Sequence, residues 1–149
     1  MPGTAIRVIV ADDHEPVRRF VCSTLAQLPR LRLVGEASDG LEALRIAQLL
    51  RADIIVLDIG LPKLNGFEVA RRIRERIPQL RILFFSTDCS HQIAEEALRL
   101  GAGGYVVKSD AGTELVPALE AVLQGETYLS SSLTSRAFRA PSLKAHERG

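Results

Sequence analysis

The sequence predicts an α/β fold, a five-stranded parallel sheet with helices on both faces. Two observations predict it. Five short apolar runs rich in Val and Ile recur along the chain, and segments with helical periodicity separate them. Strict alternation of this kind, with short connections, favours parallel strands that are joined by right-handed crossovers.

The five predicted strands are almost continuously hydrophobic, as expected for strands that helices cover on both faces. They are residues 6–11 (IRVIVA), 31–36 (LRLVGE), 53–58 (DIIVLD), 80–85 (LRILFF) and 104–108 (GYVVK). This alternation predicts a doubly wound, flavodoxin-like sheet with the strand order 2-1-3-4-5. In such a sheet the ligand site lies at the carboxyl ends of the strands, where the winding reverses between the first and third strands.

The segments between the strands each carry one hydrophobic face at helical spacing. The faces consist of Val17, Val21, Leu25 and Leu28; Ala43, Ile46, Ala47 and Leu50; Val69, Ile73 and Ile77; Ile93, Ala97 and Leu100; and Leu115, Leu119 and Val122. Boundary residues agree with five helices. Pro16 lies near the first turn of the first helix, Pro29 and Pro78 follow the first and third helices, and Gly101 follows the fourth.

The composition is that of one globular domain. The 149 residues are 46% hydrophobic and 25% charged with a formal net charge of +1, so no excess of charge indicates a nucleic acid or membrane partner. The N-terminal residues do not resemble a signal peptide, and no apolar run is long enough to cross a bilayer. Cys22 and Cys89 lack the spacing of a zinc site, and free thiols indicate a reducing compartment. We therefore expect a cytoplasmic localisation.

The last segment of the chain differs in character from the rest. Residues 126–149 are mostly polar with scattered basic side chains and no strand pattern, and Leu129, Leu133 and Ala137 share one face of a short predicted helix that ends before Pro141. We interpret residues 1–125 as the folded domain and residues 126–149 as a linker helix and tail.

Three carboxylates follow two strands that the predicted order makes neighbours. Asp12 and Asp13 end the first strand, and Asp58 ends the third. Taken alone, each is explained as a solvated aspartate or a helix N-cap. Together they disfavour one another's ionisation, so we expect a hard divalent cation such as Mg²⁺ to neutralise them. Asp58 also has the position of a nucleophile that forms an aspartyl phosphate.

Further polar residues end the fourth and fifth strands. Ser86 and Thr87 follow the fourth strand, and Lys108 ends the fifth. Ser86 is also explained as a turn or N-cap residue, and Lys108 as a solvated cation. Beside three carboxylates, however, a lysine is a natural counter-ion, and a hydroxyl can donate to a phosphoryl oxygen.

These residues closely resemble the receiver domain of two-component response regulators, which has a CheY-like fold. The resemblance runs from about residue 6 to 125, and its motifs are Asp12-Asp13, Asp58…Pro62…Gly66, Ser86, and Gly104 to Lys108. The segments ADDHEPVRR, AGGYVVKSD and GETYLS resemble the NarL/FixJ, or LuxR-type, subfamily. Members of that subfamily usually carry a C-terminal helix-turn-helix domain that binds DNA.

The resemblance implies that Asp58 accepts a phosphoryl group from the phosphohistidine of a sensor histidine kinase. It implies that Mg²⁺ is bound by Asp13, by Asp58 and by the backbone carbonyl of Gly60, with Asp12 acting through water. The chain would then be a signalling domain and not a turnover enzyme.

The resemblance also implies a switch. Ser86 and Lys108 would contact the phosphoryl group, with Thr87 beside them, and the Tyr105 ring would reorient when Ser86 moves inward. The face formed by the fourth helix, fifth strand and fifth helix would then repack and control homodimerisation or an output domain. DNA binding would need an output domain, which the 24 residues after Gly125 are too few to form.

Two departures from the family pattern leave alternatives open. Ser109 follows Lys108, where the family often has proline, and Thr87 is bulkier than the residue common at its position. One alternative is a degenerate receiver that binds partners without phosphate, although the acidic, hydroxyl and lysine residues are intact. The other is an aspartyl-phosphate phosphatase or phosphotransferase, which Gly60 disfavours because such enzymes commonly have a second aspartate there.

Overall fold

The computed structural model describes residues 5–134. Six strands form one sheet: β1 (Ile6–Ala11), β2 (Leu31–Ala37), β3 (Ile54–Leu57), β4 (Arg81–Ser86), β5 (Gly104–Val107) and β6 (Tyr128–Leu129). Their order is β2-β1-β3-β4-β5-β6, and every neighbouring pair is parallel. The predicted doubly wound sheet and the order of its first five strands are confirmed.

Helices cover both faces of the sheet. They are α1 (Glu15–Ala26), α2 (Gly40–Leu49), α3 (Gly66–Arg76), α4 (His91–Arg99), α5 (Ala111–Leu123) and the short α6 (Ser131–Thr134); a single 3₁₀ turn, Lys108–Asp110, joins β5 to α5. No helix within residues 5–134 is long and apolar enough to span a membrane.

The core is divided by the sheet into two hydrophobic clusters because successive strand side chains point to opposite faces. Ile9 of β1 and Ile55 of β3 pack with buried residues of α2, α3 and α4 on one face. Val8 and Val56 pack with buried residues of α1 and α5 on the other. Both faces of the central strands are therefore buried, which explains why these strands read as unbroken apolar runs.

Local capping sets the starts of three helices. The side chains of Asp39, Asn65 and Ser90 accept hydrogen bonds from backbone N–H groups in the first turns of α2, α3 and α4. After α4 ends at Arg99, Leu100 is the C-cap and Gly101 follows it with a φ of +90°, a conformation that glycine adopts without steric cost.

The sixth strand, β6, was not predicted from the sequence, whose predicted strands all lie before residue 125. Tyr128 and Leu129 pair with Gly104 and Tyr105 of β5, and Leu133 in the following helix is fully buried. Two residues are too few to show strand alternation, so the pattern was not visible in the sequence. Residues 135–149, which include part of the predicted linker helix, lie outside the described residues.

Candidate functional site

The carboxyl ends of β1 and β3 lie side by side at one edge of the sheet. Asp12 follows β1 directly and Asp58 follows β3. The Asp58 backbone N–H donates to the carbonyl oxygen of Ala11 at 3.0 Å, which continues the pairing of the two strands to their ends. Both aspartate side chains are nearly excluded from solvent, with residue exposures of 1% for Asp12 and 7% for Asp58.

Lys108, the residue that follows β5, bridges these two carboxylates. Its Nζ lies 2.6 Å from Oδ2 of Asp12 and 3.5 Å from Oδ1 of Asp58. The ammonium also lies 5.9 Å from the centre of the Phe85 ring. The lysine side chain is only 13% exposed, so its charge is held between the two acids instead of being solvated.

The electrostatic environment disfavours ionisation of Asp58. Burial raises the pKa of Asp58, and the negative charge of Asp12 raises it further. The charge of Lys108 and a hydrogen bond from the backbone of Gly60 act in the opposite direction, and Asp13 adds to the increase. The net direction is upward, so this carboxylate carries a charge that its surroundings only partly compensate.

A group of potential metal-ligand atoms lies at the start of the loop after β1. One such atom from each of Asp12, Asp13 and His14 lies within 4.8 Å of the other two. The His14 Nδ1 is 3.6 Å from Oδ1 of Asp12 and 3.4 Å from Oδ1 of Asp13. Within residues 5–134 this is the one such group of three, and Asp58 lies outside it. The expected set of Asp12, Asp13 and Asp58 is therefore not gathered this tightly, and His14 was not expected.

The carboxylate oxygens at this edge of the sheet are suitable ligands for a divalent cation. The buried Oδ2 of Asp12 has no hydrogen-bond partner of acceptable geometry and is matched only by the Lys108 ammonium. Carboxylate oxygens are the ligands that Mg²⁺ prefers, and it keeps several waters besides. Asp12, Asp13 and Asp58 all lie at this edge of the sheet, and the negative charges of Asp12 and Asp13 both raise the pKa of Asp58.

The predicted switch residues Ser86 and Tyr105 both bind the backbone of Asp88. The Oγ of Ser86 accepts a hydrogen bond from the Asp88 N–H at 3.1 Å, and the Tyr105 hydroxyl donates to the Asp88 carbonyl at 2.6 Å. Tyr105 is fully buried, and burial raises its pKa to about 12. Thr87 is exposed. The loop after β4 is therefore held in place by a hydroxyl from β4 and a hydroxyl from β5.

Two glycines beside Asp58 have opposite surroundings. A Cβ on Gly66 would lie 2.7 Å from the Cα of Ile59 and closer still to the carbonyl oxygen of Asp58, whereas a Cβ on Gly60 would meet nothing within 4 Å. Gly66 is thus required by the close approach of α3 to the residue that follows β3. A side chain at residue 60 would therefore be accommodated without a steric clash at its Cβ.

Sequence reasoning missed two residues that support this site. Arg18 in α1 donates from Nη1 to the carbonyl oxygen of Asp12 at 2.8 Å, and its Nε lies 3.3 Å from Glu36. His14 directly follows the aspartate pair, and a search for nitrogen donors beside the carboxylates would have found it. Arg18 has no such signal, because its contact depends on how α1 packs against β1.

Known proteins resemble this chain closely. A family model described as the response regulator receiver domain matches residues 8–120. The DNA-binding transcriptional activator DevR/DosR of Mycobacterium tuberculosis is 39% identical over 126 residues, which are 85% of this chain and 58% of that protein. The nitrate/nitrite response regulator NarL of Escherichia coli is 35% identical over 127 residues, 85% of this chain and 59% of that protein.

A solved structure agrees with these relatives. The crystal structure of a LuxR-family two-component response regulator from Aurantimonas sp. SI85-9A1 is 36% identical and superposes with a TM-score of 0.84, covering 89% of this chain and 94% of that one. The chain spans a little more than half the length of the curated relatives that it matches.

Proposed function

The chain belongs to the response regulator receiver domain family, in its NarL/FixJ (LuxR-type) branch, and from that premise we propose that Asp58 is its phosphoacceptor. The single observation that supports this most is the lysine bridge, in which the Lys108 ammonium lies within 3.5 Å of an Asp58 oxygen and 2.6 Å of an Asp12 oxygen. A carboxylate beside a cationic group and a second acid suits the transfer and retention of a phosphoryl group.

The proposed reaction takes the phosphoryl group from a phosphohistidine on a sensor histidine kinase. An oxygen of the Asp58 carboxylate attacks the phosphorus, the new O–P bond forms as the P–N bond breaks, and the imidazole nitrogen leaves with the electron pair. A bound divalent cation would neutralise charge on the phosphoryl oxygens. Asp13, Asp58 and the carbonyl of Gly60 would hold it directly, with Asp12 acting through water.

The proposed switch follows from the contacts that phosphorylation would change. The phosphoryl group would draw Lys108 and the Ser86 hydroxyl toward Asp58. Ser86 would then give up its hydrogen bond from the Asp88 N–H, and this loop also holds the Tyr105 hydroxyl. The α4–β5–α5 face would repack as a consequence.

We propose that this face controls homodimerisation or an output domain, and that the protein acts in the cytoplasm. DevR/DosR is a DNA-binding transcriptional activator, and the match with this chain covers 58% of its length. We propose that DNA binding depends on an output domain and not on the receiver domain itself, which residues 8–120 match.

Labelling with acetyl phosphate and Mg²⁺ tests the proposal. We expect an acid-stable, base-labile adduct that intact mass spectrometry and peptide mapping place on Asp58. Asp58→Asn removes the adduct, whereas Asp53→Asn, a change at the exposed aspartate before the same strand, leaves it unchanged. Absence of an adduct with both acetyl phosphate and a phosphohistidine donor would refute the proposal, as would steady release of phosphate from many phosphoesters.

A further inference from the structure

Ser130 is a buried polar residue that has no role in the proposed phosphoryl transfer or in the proposed switch. It follows β6 directly and is fully buried, one of four buried polar or charged residues within the described part of the chain. A buried hydroxyl usually remains in a structure because its hydrogen bonds are satisfied. The hydrogen-bond partners of the Ser130 hydroxyl therefore indicate which part of the structure it stabilises.

Two partners of the Ser130 hydroxyl lie on either side of Lys108. The backbone N–H of Val107, the residue before the lysine, donates to the Ser130 Oγ at 3.1 Å. The same hydroxyl lies 2.6 Å from Oδ2 of Asp110, two residues after the lysine, and donates to it; a carboxylate oxygen of Glu114 in α5 lies farther away, at 3.2 Å. One hydroxyl thus connects the two ends of the 3₁₀ turn that begins with Lys108.

Backbone contacts strengthen this connection. The Ser130 N–H donates to the carbonyl of Tyr105 at 2.9 Å, and the Ser132 N–H lies 3.3 Å from Oδ2 of Asp110. Hydrogen bonds from Ser130 and Ser132 hold the pKa of Asp110 below its usual value, so the Asp110 carboxylate accepts them in its ionised form. The hydrogen bonds from Ser130 and Ser132 to Asp110 are therefore charge-assisted.

We propose that Ser130 is a positioning residue for Lys108, so that the segment after β6 forms part of the site at Asp58. This inference rests on the proposed function for its consequence. By fixing Val107 and Asp110, the Ser130 hydroxyl sets the direction in which the Lys108 side chain leaves the backbone and keeps its Nζ between Asp12 and Asp58.

The coupling works in both directions because linkage is reciprocal. When the Lys108 side chain reorients toward a phosphoryl group, the 3₁₀ turn that contains Asp110 moves with it. The hydrogen bonds from Ser130 and Ser132 to the Asp110 carboxylate then change. These two residues lie at the start of α6, which leads into the rest of the chain. The signal would thus reach the segment after the sheet without passing through Tyr105.

A matched control lies next to Ser130. Ser131 is exposed, and its hydroxyl donates to Oε2 of Glu114 in α5. It shares Glu114 with Ser130, whose Oγ lies 3.2 Å from Oε1, but within residues 5–134 it makes no hydrogen bond with Val107 or Asp110. Ser131→Ala therefore removes a hydroxyl from the same segment and leaves the turn at Lys108 in place. Asp110→Ala breaks the same connection from its partly exposed end, so it serves if Ser130→Ala does not fold.

The experiment compares Ser130→Ala, Asp110→Ala, Ser131→Ala, Lys108→Ala and the Ser130→Ala/Lys108→Ala double variant. The first readout is the rate of labelling of Asp58 by acetyl phosphate with saturating Mg²⁺. We expect Ser130→Ala and Asp110→Ala to label about tenfold more slowly, since misplacing a group that orients a reacting atom has costs of this size. Ser131→Ala labels at the original rate.

The double variant separates positioning from a merely structural role. If Ser130 acts through Lys108, the double variant labels at the same rate as Lys108→Ala alone. Labelling of Ser130→Ala at the original rate, or an equal slowing in the presence and absence of Lys108, would overturn the inference.

The second readout is Mg²⁺ affinity by titration calorimetry, which needs no phosphorylation. Lys108 and the cation compete for the same carboxylates, so loosening the lysine tightens Mg²⁺ binding by about fivefold in Ser130→Ala and not in the Lys108→Ala background. If no chain labels but this shift is found, the positioning role stands and the proposed function fails. If the chains label and the affinities are equal, the positioning role fails alone.

Discussion

Replacing Gly66 with alanine tests how closely the third helix approaches the residue that the site depends on. The added Cβ would lie 2.7 Å from the Cα of Ile59 and 3.0 Å from the carbonyl carbon of Asp58, and closer to the carbonyl oxygen. Ordinary contacts of this kind begin at 3.4 Å. The backbone at residues 58 and 59 and the start of α3 must therefore separate by at least 0.7 Å.

The magnitude follows from two opposing effects. Overpacking of a rigid site costs about 1–3 kcal/mol, and both neighbours here are backbone atoms that cannot rotate away. Alanine in place of glycine near the start of a helix recovers at most about 1 kcal/mol of conformational entropy. Because these contacts are with backbone atoms, the cost is at the upper end, about 3 kcal/mol, and after the recovered entropy we expect Gly66→Ala to lower the free energy of unfolding by about 2 kcal/mol.

Gly112→Ala is the matched control. Gly112 is the second residue of α5, as Gly66 is the first residue of α3, and a Cβ on it would meet nothing within 4 Å. This variant should be as stable as the original chain or more stable by up to about 1 kcal/mol.

Urea denaturation at pH 7, followed by circular dichroism, measures both variants. Labelling by acetyl phosphate then tests whether displacement of Asp58 also slows phosphorylation, which we expect by about tenfold or more. If Gly66→Ala unfolds at the same urea concentration as Gly112→Ala with an unchanged m-value, the close approach of α3 does not constrain the site and the reasoning is wrong.

Three further predictions concern ionisation and the cation. Tyr105 and Tyr128 each have a pKa raised to about 12 from 10.0, chiefly by burial, so the stability they contribute is complete below pH 10 and is lost as pH rises from 10 through 12. Tyrosinate absorbance of the folded chain and of the chain in denaturant measures this, and ionisation at the same pH in both would contradict it. Burial raises the pKa of Asp58, so the stability that its protonated form contributes is lost as pH rises through that pKa. Asp58→Asn, which is neutral at every pH, should therefore have a higher melting temperature than the original chain at pH 7 without Mg²⁺. In acid, where Asp58 is itself protonated, the two melting temperatures should converge. A melting temperature below that of the original chain at pH 7 would count against this reasoning. Lys108→Ala leaves the carboxylates of Asp12 and Asp58 without their counter-ion, so it should cost about 3 kcal/mol without Mg²⁺ and bind Mg²⁺ more tightly than the original chain does, as calorimetry would show. Equal Mg²⁺ affinities in the two chains would show that the lysine and the cation do not compete.

The parts of the fold that the sequence predicted are those in which a local pattern repeats. The first five strands and the helices α1 to α5 each carry enough apolar residues to show a period, and the strand order follows from strict alternation and the right-handed crossover. The sixth strand was missed because Tyr128 and Leu129 are held by pairing with β5 and not by any pattern of their own.

The location of the site was predictable from the sequence, but the contacts between its atoms were not. That Asp12, Asp58 and Lys108 lie at one edge follows from their places after parallel strands, whose carboxyl ends share that edge. Which atoms meet was not predictable. His14 lies with the aspartate pair within 4.8 Å while Asp58 does not, and this depends on the path of the loop before α1.

The sequence by itself determined the order of the strands and the edge at which the acids gather, because both follow from chain order and hydrophobic periodicity. Only the tertiary structure decided the partners of each charge. The Lys108 ammonium lies nearer to Asp12 than to Asp58, and the Ser130 hydroxyl joins Val107 to Asp110. The reason is physical: side-chain directions are set by packing against residues distant in the chain, and no spacing in the sequence records them.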